Sequence, residues 1–139
     1  HICGRQDFTV LDASYKSAGV TYKLYDFFPN MQNAYSLADL VICRAGATTI
    51  AELQRFNLPA LLIPYPFAAA HQLANALVLK DIGAAEMLLD VDLDADKLKE
   101  SLQVYLSDNE KLKAMQRAYQ KLPVFDATAI LANEVLSLK

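Results

Sequence analysis

Tryptophan is absent from these 139 residues, histidine and cysteine occur twice each, and glycine only four times. Each scarcity removes a class of chemistry. The glycines never fall in a Gly-x-Gly-x-x-Gly or Walker pattern, which argues against a nicotinamide cofactor and a nucleoside-triphosphate loop. No His, Cys, Asp and Glu cluster has metal-ligand spacing, so no metal site is expected. There is no Gly-x-Ser-x-Gly and no defensible Ser/His/Asp order, so a nucleophilic hydrolase is not expected. Cys3 and Cys43 each end an apolar, strand-like run and read as free, reduced core thiols.

Charge of one sign is lacking too. Thirteen basic and sixteen acidic residues give a net charge of -3 without a basic run, the opposite of a nucleic-acid surface or a polybasic membrane patch. The longest nearly apolar stretch, Leu58 to Ala70, is interrupted by Pro59, Pro64 and Pro66 and is too short to span a bilayer. It reads as a buried strand with its exit loop. The remaining composition, 54% hydrophobic and 21% charged, suits one globular domain with a sizeable core. The opening residues His1-Ile-Cys-Gly4 look like the end of a strand, so the chain reads as a fragment.

Strand-like and helix-like segments alternate. His1 to Cys3 is a strand remnant, Asp7 to Ser17 a helix closed by Gly19, and Val20 to Tyr25 a strand by its β-branched and aromatic residues. Asn30 is placed to cap a helix from Met31 to Ala38, followed by an apolar strand from Leu40 to Cys43 and a helix from Thr48 to Phe56. Ala60 to Ile63 and Ala85 to Leu89 are further buried strands, separated by a helix from His71 to Ile82 that Gly83 ends. After Asp90 the chain turns acidic and helical, with segments Asp94 to Leu106, Asn109 to Lys121 and Asp126 to Leu138. The alternation predicts an α/β fold with a parallel, doubly wound sheet, no internal repeat and no domain boundary inside the chain.

Ligands of such sheets bind beyond the carboxyl ends of the strands. Four loops qualify: Gly4 to Asp7, Asp26 to Asn30, Arg44 to Thr48 and Pro64 to Ala70. The third is the most informative. An apolar strand passes through Arg44-Ala-Gly46 into a helix, whose first amides lack internal partners and sit at the positive end of the macrodipole. Ala47, Thr48 and Thr49 can therefore offer N–H groups to a diphosphate, and Gly46 lets the ligand approach the backbone. Glu52 lies one turn on, roughly 6 Å from Thr48 along the axis and on the same face, where it can accept both hydroxyls of a ribose. Arg44 has two roles open to it: neutralising a phosphate, or holding the loop by hydrogen bonds. Phe28, beside Pro29, is the better candidate for a base contact, whereas Phe27 is expected to pack under the sheet. Gln72 and Asn75 share a helix face and supply donors and acceptors together, which suits vicinal sugar hydroxyls; His71 adds a titratable group.

The segments Asp26-Phe-Phe-Pro-Asn-Met31, Ala34-Tyr-Ser-Leu-Ala-Asp-Leu-Val-Ile-Cys-Arg-Ala-Gly-Ala-Thr-Thr-Ile-Ala-Glu-Leu53, Leu58-Pro-Ala-Leu-Leu-Ile-Pro-Tyr65 and His71-Gln-Leu-Ala-Asn-Ala76 occur in one order. Together, and with Gly83-Ala-Ala85 following, they resemble the carboxy-terminal, donor-binding domain of the MurG family of glycosyltransferases. The resemblance covers almost the whole chain. It implies a GT-B architecture of two Rossmann-like domains with helices on both sheet faces, of which residues 1 to 139 are the second, UDP-sugar domain. The first strand and Gly-Gly-Ser loop of that domain are not in this sequence.

The resemblance further implies an inverting transferase that moves N-acetylglucosamine from UDP-N-acetylglucosamine to a lipid-linked muramoyl-pentapeptide in peptidoglycan synthesis. The backbone of Phe28 would read uracil, the amides of Ala47 and Thr48 would bind the diphosphate beside Gly46 and Arg44, and Glu52 would hold the ribose. His71, Gln72 and Asn75 would contact the sugar. No metal, cofactor or nucleic acid is implied, and no catalytic base lies in this chain, which is expected to be inactive alone. The acceptor and the peripheral membrane contact at the cytoplasmic face of a bacterial inner membrane belong to the amino-terminal domain, to which helix 126 to 138 is expected to cross. A stand-alone UDP-sugar-binding subunit of a two-chain transferase and a UDP-sugar epimerase of the same fold are the alternatives. Product analysis separates the last from a transferase.

Overall fold

The computed structural model describes residues 1–67, 71–123 and 126–138. The chain falls into two compact units, His1–Leu37 and a second that begins at Ala38. In the first, helix α1 (Phe8–Ala18) ends at Gly19, whose φ of 64° allows its N–H to donate to the Lys16 carbonyl at 3.2 Å. Tyr22 returns along α1, stacking on Tyr15 at 4.8 Å and donating its hydroxyl to Asp12 Oδ1 at 2.6 Å. Helix α2 spans Met31–Leu37.

The strand expected from Val20 to Tyr25 is only a single parallel bridge, Ile2 to Tyr25. Tyr25 donates to the His1 carbonyl at 2.8 Å and Cys3 donates to the Tyr25 carbonyl at 3.0 Å. A ladder needs backbone partners along its length, and the residues before Gly4 supply them only from Lys23, whose carbonyl accepts from the His1 terminal amine at 2.7 Å, to Tyr25. β-branched composition cannot replace that pairing.

The second unit carries the sheet. Strands β1 (Val41–Cys43), β2 (Ala60–Leu62) and β3 (Ala85–Met87) pair in parallel in the order β1-β2-β3, with Ile42 opposite Leu61 and Leu61 opposite Glu86. Helix α3 (Ala47–Phe56) connects β1 to β2, and α4 (His71–Ile82) lies between β2 and β3 in sequence. Both connections step in the same direction, so right-handed crossovers place both helices on one face, where they touch. Central β2 is fully buried, which explains its unbroken apolar sequence, and Leu53, Leu61, Leu62 and Leu79 form the heart of the core. Burying each such leucine contributes about 1.5–3 kcal/mol. Edge strand β1 is less protected, and Ile42 is 44% exposed.

Glycine at position 83 again ends a helix with positive φ, 85°, and donates to the Lys80 carbonyl. Beyond β3 a short 3-10 turn, Asp90–Asp92, precedes α5 (Ala95–Leu106), which Asp94 caps by accepting from Lys97 N–H at 2.8 Å. Helix α6 (Asn109–Ala118) is capped by Asp108 and runs into a 3-10 turn, Tyr119–Lys121, packed on α4. Tyr119 is buried and donates to the Leu58 carbonyl at 2.7 Å, tying this turn to the entry of β2. Asp126 caps α7 (Ala127–Ser137) by accepting from Ala129 N–H at 2.9 Å.

Candidate functional site

Three chain segments leave the carboxyl edge of the sheet side by side. Ile63 and Leu88 continue the ladders of β2 and β3, donating to Cys43 and Leu62 carbonyls at 2.9 Å, so the exits are held in register as far as Arg44, Pro64 and Leu89. From Arg44 the chain turns through buried Ala45 into Gly46, whose extended backbone (φ -65°, ψ 147°) makes it the residue that precedes α3. Gly46 carbonyl accepts from Ile50 N–H at 2.9 Å, the first bond of the helix. Ala47 and Thr48 are exposed at the start of this ten-residue helix, with their N–H groups ahead of that first bond. Thr49 shares the turn, and half-buried Glu52 follows in the next.

The carboxamides of α4 reach back to this turn. Gln72 Oε1 accepts from two backbone amides at once, Ala45 N at 3.2 Å and Tyr65 N at 2.9 Å, and Asn75 Nδ2 donates to the Ala45 carbonyl at 3.0 Å. The two polar side chains that share a face thus clamp the β1 and β2 exits together. Gln72 Nε2 and Asn75 Oδ1 have no protein partner among the described residues. His71 is exposed at the first residue of α4. Residues 68–70 of the expected loop Pro64 to Ala70 lie outside the described residues.

Of the two roles open to Arg44, the structure displays the loop-holding one. Its Nη1 donates to the Ile63 carbonyl at 3.2 Å and the Pro64 carbonyl at 3.4 Å and forms a close ion pair with Asp90, while the guanidinium lies 5.5 Å from the centre of the Tyr65 ring. Sequence reasoning singled out neither Asp90 nor Tyr65. The available signal was positional: an acidic residue shortly beyond β3, in a sheet whose β1 ends in an arginine. One residue before Arg44, the thiol of half-buried Cys43 is pushed up to about 11 by desolvation, so it is a neutral packing group near neutral pH.

In the unit formed by residues 1–37, one of the two phenylalanines departs from its expected place. Phe27, expected under the sheet, is 70% exposed, and half-buried Phe28 packs its ring on Tyr25 at 4.8 Å. Tyr25 is the residue paired to Ile2, so Phe28 packs on a ring whose backbone is held. Among the described residues no group of three or more His, Cys, Asp or Glu is arranged to hold a metal ion.

Residues 1–129 match the glycosyltransferase family 28 C-terminal domain. The chain belongs to this family. An N-acetylglucosamine transferase of Shewanella frigidimarina, named for UDP-N-acetylglucosamine and N-acetylmuramyl-(pentapeptide) pyrophosphoryl-undecaprenol, is 38% identical over 136 residues, 96% of this chain and 37% of the relative. The transferase of the same name from Geobacter metallireducens is 35% identical over 140 residues, covering 100% of the chain and 38% of its own length. The crystal structure of MurG from Acinetobacter baumannii superposes with a TM-score of 0.88 at 34% identity, covering 99% of this chain and 42% of that one. The resemblance to the carboxy-terminal domain of MurG and the Rossmann-like α/β class therefore hold. This family-28 domain spans well under half the length of these relatives.

Proposed function

We propose that this domain is the donor-binding part of an inverting glycosyltransferase that moves N-acetylglucosamine from UDP-N-acetylglucosamine to a lipid-linked muramoyl-pentapeptide. The observation that carries the reading is the start of α3, where exposed amides follow a loop fixed from both sides by Arg44, Gln72 and Asn75. Two transferases of that name and MurG itself are similar to nearly the whole chain.

In this mechanism Ala47 and Thr48 N–H groups bind the diphosphate, Gly46 admits it to the backbone, and Arg44 keeps the loop in place. As the bond from sugar C1 to the phosphate oxygen breaks, charge grows on the leaving UDP. Donors that already point at that oxygen stabilise it without reorganisation. The helix terminus does what a divalent cation does in other transferases, so no metal is required. Glu52 accepts the ribose hydroxyls, and His71 with Gln72 Nε2 and Asn75 Oδ1 faces the sugar.

The acceptor, the peripheral membrane contact and the catalytic base belong to parts of the longer relatives that this chain does not match. No helix among the described residues is long and apolar enough to cross a membrane. Helix α7 exposes Ile130, Leu131, Val135 and Leu136, as expected of a segment that packs against the other half of a two-domain enzyme.

Glu52→Ala tests the ribose contact. The variant is expected to bind UDP about tenfold more weakly than the unsubstituted chain, the size of one hydrogen bond to a charged group. A 2′,3′-dideoxy analogue of UDP is expected to bind both proteins equally. Unchanged affinity of the variant for UDP overturns the role of Glu52.

A further inference from the structure

The arginine strap ties three strand exits together. Arg44 leaves β1, two of its acceptors are carbonyls at the exit of β2, and the third is a carboxylate beyond β3. Sheet order β1-β2-β3 makes this one continuous span across the carboxyl edge. We propose that Asp90 is a positioning residue for the diphosphate seat, acting through Arg44; this rests on the donor-site reading above.

The argument runs from geometry. Only Ala45 and Gly46 separate Arg44 from the first residue of α3, so the direction in which the guanidinium is pulled sets where the amides of Ala47 and Thr48 point. An exposed ion pair alone stabilises little. Here, however, the guanidinium also meets two carbonyls and the Tyr65 ring, so its orientation is determined by four groups rather than one. The Tyr65 N–H is in turn held by Gln72, which also holds Ala45 N–H. Asp90 is the only anion of this set, and without it Arg44 loses the counter-charge that keeps it turned toward β3 rather than toward a bound phosphate. A ligand with a diphosphate therefore meets a preformed row of amides beside an arginine that is already paired.

A double-mutant cycle on the 139-residue chain tests this, with UDP and uridine as probes and binding read from amide chemical shifts. Arg44→Ala and Asp90→Ala are each expected to weaken UDP binding about tenfold, the double variant no further than either alone, and uridine binding is expected to stay unchanged. Asp90→Glu is expected to restore wild-type affinity. Should Arg44→Ala fail to fold by circular dichroism, Arg44→Lys takes its place in the cycle, because an ammonium cannot reproduce the guanidinium span. Three results overturn the proposal: wild-type or tighter UDP binding by Asp90→Ala, losses that multiply in the double variant, or equal losses for UDP and uridine. Absence of UDP binding by the unsubstituted chain overturns the donor-site reading itself, and the proposal with it.

Discussion

Cys43 and Arg44 are adjacent in sequence and opposite in character, one a half-buried neutral thiol and the other a paired cation at the strand exit. The thiol has a consequence for stability. An unfolded cysteine releases its proton near about pH 8.5, whereas folded Cys43 keeps it to about 11. Between those values the unfolded chain binds fewer protons, so stability falls as pH rises, by up to about 1.4 kcal/mol per unit, and is unaffected by this group below that window. Urea unfolding at pH 8 and pH 10.5 is expected to show a larger loss for the wild type than for Cys43→Ala. Equal losses would contradict the burial of this thiol. At this scale the sequence identified Gln72, Asn75 and Arg44 as consequential but not their partners. A carboxamide announces that it can donate and accept, and only the packing of α4 against the strand exits decides that it meets Ala45 and Tyr65. Phe27 was misplaced for the same reason, since neighbouring aromatics on a loop carry no periodicity that says which is covered.

Elements with strong internal signals were legible. Helix α4 begins and ends where the turn residues and Gly83 place it, and α5 and α7 begin just after their capping aspartates. Strand β2 was readable because every residue in it is apolar, the mark of a central parallel strand. Val20 to Tyr25 was not, because a strand exists only where a neighbour pairs with it, which local composition does not encode. The core role of β2 predicts that Leu61→Ala costs about 2–5 kcal/mol, a loss of buried methyl groups plus the cavity left behind. Its unfolding midpoint in urea reports this directly. A cost below about 1 kcal/mol would mean that the sheet is not packed as described.

For the molecule as a whole, a net charge of -3 offers no general attraction for a nucleotide. Affinity must come from local donors, and the start of α3 supplies them in a fixed place. The fold class was legible from the alternation of strand and helix, while the family emerged only from several short motifs in one order. Membership of glycosyltransferase family 28 and the superposition on MurG agree with that reading across nearly the full chain. The most direct test of the donor seat is a titration of the isotope-labelled chain with UDP-N-acetylglucosamine, following backbone amides. The largest shifts are expected at Ala47 and Thr48, with smaller ones at Glu52 and Gln72 and none on addition of NAD. Shifts that leave Ala47 and Thr48 unmoved at saturating UDP-N-acetylglucosamine would contradict the account.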